Sequence, residues 1–212
     1  MKLSRSIHLV DNSLANVYIV TTNKGYLIID AGVPENFIRV ISYLRKNNFS
    51  LEKCLGIIIT HYHSDHTGCL ADLKEMLKTK VFAHKEEAPF ISGKAKLPRG
   101  REFKHTDVDV EVNDGDLIYG LQVIHTPGHT PGSICLYYPA EKALFIGDLI
   151  VNENNILTEI PTQYSLDPEK NREAIKHVYE VVDFELLLPS HGEPILKNGK
   201  EKLLTLIKSF EK

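Results

Sequence analysis

Residues 55–68 read Leu-Gly-Ile-Ile-Ile-Thr-His-Tyr-His-Ser-Asp-His-Thr-Gly, an apolar run followed at once by a metal-capable one. Leu55 to Thr60 predicts a buried strand, because β-branched residues in an unbroken apolar run suit a strand covered on both faces. His61, His63, Asp65 and His66 then fall within six residues. On a tight loop, the residues at i and i+2 can face one cation while those at i+4 and i+5 turn toward a second. The stretch predicts a rigid strand feeding a loop that seeds two metal positions, and chance rarely places four such side chains together.

Upstream, Ile7 to Leu9, Val17 to Thr21 and Tyr26 to Ile29 read as strands of a meander closed by Asp30-Ala31-Gly32. After Pro34, the spacing of Phe37, Ile38, Ile41 and Leu44 predicts a helix with one buried face, ended by Asn47-Asn48. Downstream, Leu70, Leu73 and Leu77 mark a short helix and Lys80 to Ala83 a strand, which completes a β-α-β unit. Glu86 to Glu111 carries Pro89, Gly93, Pro98, Gly100 and many charges, and reads mostly as loop, a surface flap. Strands resume at Val108 to Val112, Leu117 to Tyr119, Leu121 to His125, Ser133 to Tyr138 and Ala143 to Ile146. Asp167 as N-cap with Pro168 at the first helical position starts a helix striped by Ile175, Val178, Tyr179 and Val182. Glu185 to Leu188 is the last strand, and Leu203, Leu204, Ile207 and Phe210 define a closing helix. With no short repeat and no Gly/Ser/Pro linker, residues 1–212 are expected to form a single α/β (α+β) domain, sheets packed face to face with helices outside.

Composition narrows the function classes. The chain is 42% apolar, enough for a substantial core, and 25 Lys+Arg against 28 Asp+Glu give a formal charge of −3. That balance argues against nucleic acid as a partner. No apolar run approaches the roughly 18 residues of a spanning helix, so no membrane partner is expected. Ser6, His8, Asp11 and Asn12 interrupt the apolar run that a signal peptide needs, which places the protein in the cytoplasm. Three cysteines, Cys54, Cys69 and Cys135, show no C-x-x-C spacing and suggest neither a disulfide framework nor a thiolate zinc knuckle. A small-molecule substrate is the expected partner, with homo-oligomerisation left open.

Three more candidates stand in equivalent settings. His129 lies in Thr126-Pro127-Gly128-His129-Thr130-Pro131-Gly132, Asp148 follows Gly147 after the Ala143 to Ile146 strand, and His191 lies in Pro189-Ser190-His191-Gly192 after Leu188. Four apolar strands thus run into polar, Gly/Pro-stiffened loops carrying His or Asp, which is how a scaffold presents ligands at one sheet edge. Nitrogen and carboxylate donors without thiolate suit two divalent metal ions, Zn first, with Fe or Mn as alternatives.

The segments THYHSDHTG, TPGHTPGS, IGD and PSHG, with LIIDAG upstream, closely resemble the metallo-β-lactamase-fold hydrolases, in the same order and over nearly the whole chain. The resemblance implies a four-layer αββα sandwich with metals at one edge of the two sheets. It implies His61, His63 and His129 at site one, Asp65, His66 and His191 at site two, and Asp148 bridging them. Asp65 and Asp148 would be the catalytic carboxylates, and a hydroxide between the metals would cleave a carbonyl substrate. It also places Asp30 beside the metals, as an acceptor for a ligand histidine.

Within the family, the seven ligands look most like glyoxalase II and the lactonases, which implies hydrolysis of a thioester, ester or lactone. The true β-lactamases resemble the chain less, since they carry other residues at His66 and Asp148. The basic helical extension of glyoxalase II has no counterpart after Ile195, and no tyrosine follows Asp148 before Tyr164, where lactonases place one sooner. The alternative is a mononuclear iron oxygenase like the persulfide dioxygenases of this fold, and a third is a non-catalytic binding module. His84, at a strand end, and Tyr164, in a stretch without pattern, are candidates for the substrate pocket. Specificity is assigned to Glu86 to Lys104 and Val151 to Leu166, and Cys69 stands at a helix start, where a thiol pKa can fall.

Overall fold

Ile7–Val10 (β1), Val17–Thr21 (β2) and Tyr26–Ile29 (β3) pair antiparallel in sequence order, with Ile7 opposite Val20 and Tyr18 opposite Ile29. The sheet then changes sense. β3 pairs parallel with Cys54–Ile59 (β4), β4 with Val81–His84 (β5), and β5 with Val110–Val112 (β6), giving six strands in chain order. Parallel neighbours need crossovers. These are supplied by Asn36–Lys46 (α1) between β3 and β4, and by Ser64–Thr67 (α2) and Leu70–Leu77 (α3) between β4 and β5. Ile57, Ile58 and Ile59 are wholly buried, as expected of a strand covered on both faces. On α1 the buried stripe is Val40, Ile41 and Leu44, with Phe37 packed against it. Ile38, read as part of that face, is 72% exposed, because the stripe follows i, i+3, i+4 from Phe37 and leaves Ile38 to one side.

These elements form the first of two compact units, Met1–Val112, and the second is Asn113–Lys212. The computed structural model describes residues 1–10 and 14–210; Asp11 and Asn12, which figure in the signal-peptide argument, lie outside the described residues.

In the second unit Leu117–Ile118 (β7), Leu121–His125 (β8), Ile134–Tyr138 (β9), Ala143–Glu153 (β10) and Ile156–Glu159 (β11) follow one another as an antiparallel meander. Leu186–Gly192 (β12) pairs parallel with β10. Some elements of both units went beyond the sequence reading. The flap contains a one-turn helix, Ala88–Ile91 (α4), and a 3-10 turn at Leu51–Lys53 precedes β4. Val151 to Leu166, read as irregular, opens with the β10–β11 hairpin. Pro168–Val181 (α5) starts as expected, the Asp167 carboxylate accepting from Lys170 N–H at 3.1 Å. Gly199–Ser209 (α6) closes the chain, and Ile175, Val178, Leu203 and Ile207 share a core with Leu144, Ile146 and Leu187. Among the described residues no helix is long and apolar enough to cross a membrane.

Candidate metal centre

In the first unit the loop at 61–66 is set by Asp30. This residue ends β3 in a left-handed conformation, φ +59°, which aspartate tolerates better than most side chains. Its buried carboxylate accepts the Thr60 N–H at 2.8 Å and the Thr60 hydroxyl at 2.8 and 3.0 Å. It also takes the Nδ1–H of His66 at 2.8 Å. The hydroxyl has one proton, and giving it to Asp30 makes Thr60 Oγ1 the acceptor for His61 Nδ1, 3.1 Å away. Both histidines are thereby held as the tautomer whose Nε2 carries the lone pair, the form a metal ligand requires.

The outward nitrogens converge. His61 Nε2 lies 3.1 Å from His63 Nδ1, and two nitrogens on one tetrahedral zinc at 2.0–2.1 Å stand about 3.3 Å apart. His66 Nε2 lies 3.7 Å from Asp65 Oδ2, a separation that a shared cation also produces. Asp65 and His66 sit on the single turn of α2, where the sequence predicted an irregular loop. The His61 and His66 rings nevertheless lie close, with centroids 4.0 Å apart.

The loop has a further support that the sequence did not reveal. Glu87 is fully buried, and its Oε2 accepts the N–H of Tyr62, the residue between His61 and His63, at 2.7 Å. Only its position one turn beyond β5 could have hinted at this. Burial pushes the Tyr62 phenol up to about 12. His84 is buried at the end of β5, its Nδ1 accepting the Glu86 N–H at 3.4 Å.

The second unit assembles its donors differently. His129 stands in a loop braced by Thr126 N–H to Ser133 O at 2.8 Å and by Thr130 N–H to Ser133 Oγ at 3.1 Å. Gly128, φ +145°, lets this loop lie against α5, since a Cβ there would fall 2.3 Å from Asn171 N. Asp148 and His191 were expected in loops after strands, but both lie inside strands, β10 and β12. Gly147 pairs with Pro189 and Val151 with His191, so four steps along β10 oppose two along β12 and Asp148 occupies the resulting bulge. Asp148 Oδ2 is 3.5 Å from His129 Nε2 and 3.2 Å from His191 Nε2, one carboxylate oxygen facing two imidazoles.

The remaining candidates are plainer. Tyr164 ends a 3-10 turn at Thr162–Tyr164 and is 53% exposed. Cys69, at the start of α3, is buried and donates to Ala31 O at 2.8 Å, and burial pushes its thiol up to about 12 rather than down, because desolvation outweighs a two-turn helix. Cys54 and Cys135 are likewise buried, with thiols pushed up to about 11 and about 12.

All-nitrogen and carboxylate donors, tautomers fixed for ligation and separations close to those of shared cations fit divalent metals. A family model described as the Metallo-beta-lactamase superfamily matches residues 10–191. The chain is similar to the Probable metallo-hydrolase YflN of Bacillus subtilis (strain 168), 25% identical over 239 residues, covering 96% of this chain and 90% of that protein. It is also similar to an N-acyl homoserine lactonase of Bacillus thuringiensis, 23% identical over 204 residues, covering 84% of this chain and 80% of that one. Among solved structures, a metallo-beta-lactamase of Cronobacter sakazakii (Enterobacter sakazakii) with a HARLDQ motif superposes with a TM-score of 0.80 at 21% identity, covering 100% of this chain and 92% of that one. That likeness establishes the metallo-beta-lactamase fold anticipated from the motifs. With a family match spanning both sets of metal-capable side chains, the chain belongs to the metallo-beta-lactamase superfamily and is a metallo-hydrolase.

Proposed function

We propose that the two units act as one hydrolase domain that holds two divalent ions and cleaves the carbonyl of a small-molecule thioester, ester or lactone. His61, His63 and His129 would hold one ion, Asp65, His66 and His191 the other, with Asp148 between them. The observation that carries this reading is the Asp148 oxygen facing Nε2 of both His129 and His191, a donor placed for two partners at once. Bound there, a pair of divalent ions makes water acidic enough to ionise near neutral pH and polarises a carbonyl. The chain's own residues prepare for that. Asp30 fixes the proton of His66 on Nδ1 and, through Thr60, that of His61, so neither ring must change tautomer to ligate. No protein nucleophile is required, and the buried thiols are unsuited to be one. The lactonase relative supports a cyclic ester among the substrates.

The test is metal content. Under zinc-replete conditions the wild type is expected to carry two ions per chain and His66→Ala one, measured by elemental analysis. One ion in both proteins would reject the dinuclear reading, and one iron in both is what a mononuclear oxygenase would give.

A further inference from the structure

We infer that Asn171 is a positioning residue for the second unit's donors. From the start of α5 it ties the Asp148 bulge to the His129 loop, and so sets how far apart their facing atoms stand. The inference deepens the hydrolase reading and rests on its claim that these donors hold metal.

The bulge lies between two strand pairings, Gly147 opposite Pro189 and Ile150 opposite Glu159. Within it, the Leu149 carbonyl accepts the Ile160 N–H at 3.1 Å and the Asn171 side-chain amide, Nδ2 donating, at 3.2 Å. The first bond comes from the chain just beyond β11 and the second, wholly buried, from α5. The same part of α5 carries the His129 loop. Gly128 lies against the backbone of Lys170 and Asn171, where a Cβ would meet Asn171 N at 2.3 Å and its Cα at 2.6 Å. Gly128 O accepts the Asp167 N–H at 2.9 Å, and His129 O the Leu166 N–H at 3.1 Å. One helical residue thus holds the immediate neighbours of both Asp148 and His129, and Asp148 Oδ2 stands 3.5 Å from His129 Nε2.

Local energetics give no reason for asparagine at this position. It is a weak helix former, Asn171 is 1% exposed, and its Oδ1 has no hydrogen-bond partner among the described residues, so its burial is unfavourable. Nor does Leu149 O depend on it, since the Ile160 N–H already satisfies that carbonyl. An apolar residue of the same shape would serve packing as well or better. What such a residue could not do is aim the bulge, because apolar burial is non-directional whereas a hydrogen bond fixes an orientation.

Asn171→Leu makes that exchange. Leucine branches where asparagine does, so the variant removes the donor and the unpartnered oxygen while leaving the backbone contact with Gly128 in place. The metal-free variant is expected to keep a urea midpoint close to wild type, while zinc affinity in a chelator competition falls about tenfold or more, the scale of losing a group that orients a ligand. The visible spectrum of the cobalt(II)-loaded protein, which reports ligand geometry, is expected to change with it. Wild-type zinc affinity in the variant, or an unchanged cobalt spectrum, would overturn the inference. Should the leucine variant fail to fold, Asn171→Ala answers the same question by the same two readouts. Hydrogen exchange on the metal-free proteins separates the two readings. If neither protein binds metal but residues 147–150 exchange faster in the variant, the hydrolase reading fails and Asn171 still holds the bulge. Equal exchange there rejects the positioning role.

Discussion

The two units hold their metal-capable side chains by different means. In Met1–Val112 the donors are near neighbours in sequence, and a buried carboxylate sets them: Asp30 reaches Thr60 and His66 directly and His61 through the Thr60 hydroxyl. In Asn113–Lys212 the donors are far apart in sequence, and backbone geometry sets them: a loop packed on α5 for His129, a strand bulge for Asp148, a parallel pairing for His191. The contrast teaches that proton position and chain path are separable requirements of a ligand. One unit invests in the first and the other in the second.

Substitutions can break that contrast. The largest effect is expected for Gly128→Ala, which forces a side chain into φ +145° and against the Asn171 backbone at 2.3 Å. Strain and overpacking together predict a loss of about 3 kcal/mol or more, a fall of roughly 6–12 °C in the thermal midpoint of a chain this size. Gly115→Ala is the control: φ is +81°, yet nothing lies within 4 Å, and a loss of about 1 kcal/mol is expected from conformation alone. Equal midpoints for the two variants would show that backbone packing does not set the His129 loop.

Asp30→Asn tests the other unit. Asparagine tolerates the left-handed backbone, but its amide cannot accept from Thr60 and His66 as a carboxylate does. Zinc affinity in a chelator competition is expected to fall by roughly 10–100-fold, the usual cost of removing such a partner, and the apo protein to lose about 1–3 kcal/mol because a buried Thr60 or His66 donor is left unpaired. An unaltered affinity would mean that the tautomers do not need Asp30.

The smallest effect sharpens the comparison. Glu87→Gln keeps an oxygen for the Tyr62 N–H, and urea unfolding is expected within about 1 kcal/mol of wild type, whereas Glu87→Leu strands that buried N–H and costs about 1–3 kcal/mol. If both variants unfold alike, Glu87 contributes by filling space and not by accepting.

What the sequence made legible follows from the same contrast. Contiguous donors after Leu55 to Thr60 announce themselves, since strand and ligands fall within one window. The meander, the α5 cap and the order of the strands were equally readable, because local turn and cap chemistry determines them. The continuation of β10 beyond Ile146 was not, since Gly147-Asp148 reads as a turn while pairing with β12, about forty residues on, carries the strand through it as a bulge. Nor could α2 be seen, because Ser64–Thr67 is a single turn too short for any period. Glu87 and Thr60 were invisible as supports, since hydrogen bonds to a neighbouring segment leave no pattern in their own.

The buried thiols have a practical consequence for watching each unit open. At neutral pH, thiols pushed up to about 11 and about 12 hold very little thiolate, and burial hides them from reagents in any case. Alkylation must therefore wait for the surrounding structure to open, so its rate becomes a clock for local unfolding. Cys54 and Cys69 keep time for one unit and Cys135 for the other. Peptide mapping of a timed labelling reaction, with and without zinc, reads both clocks in a single sample, with no engineered probe.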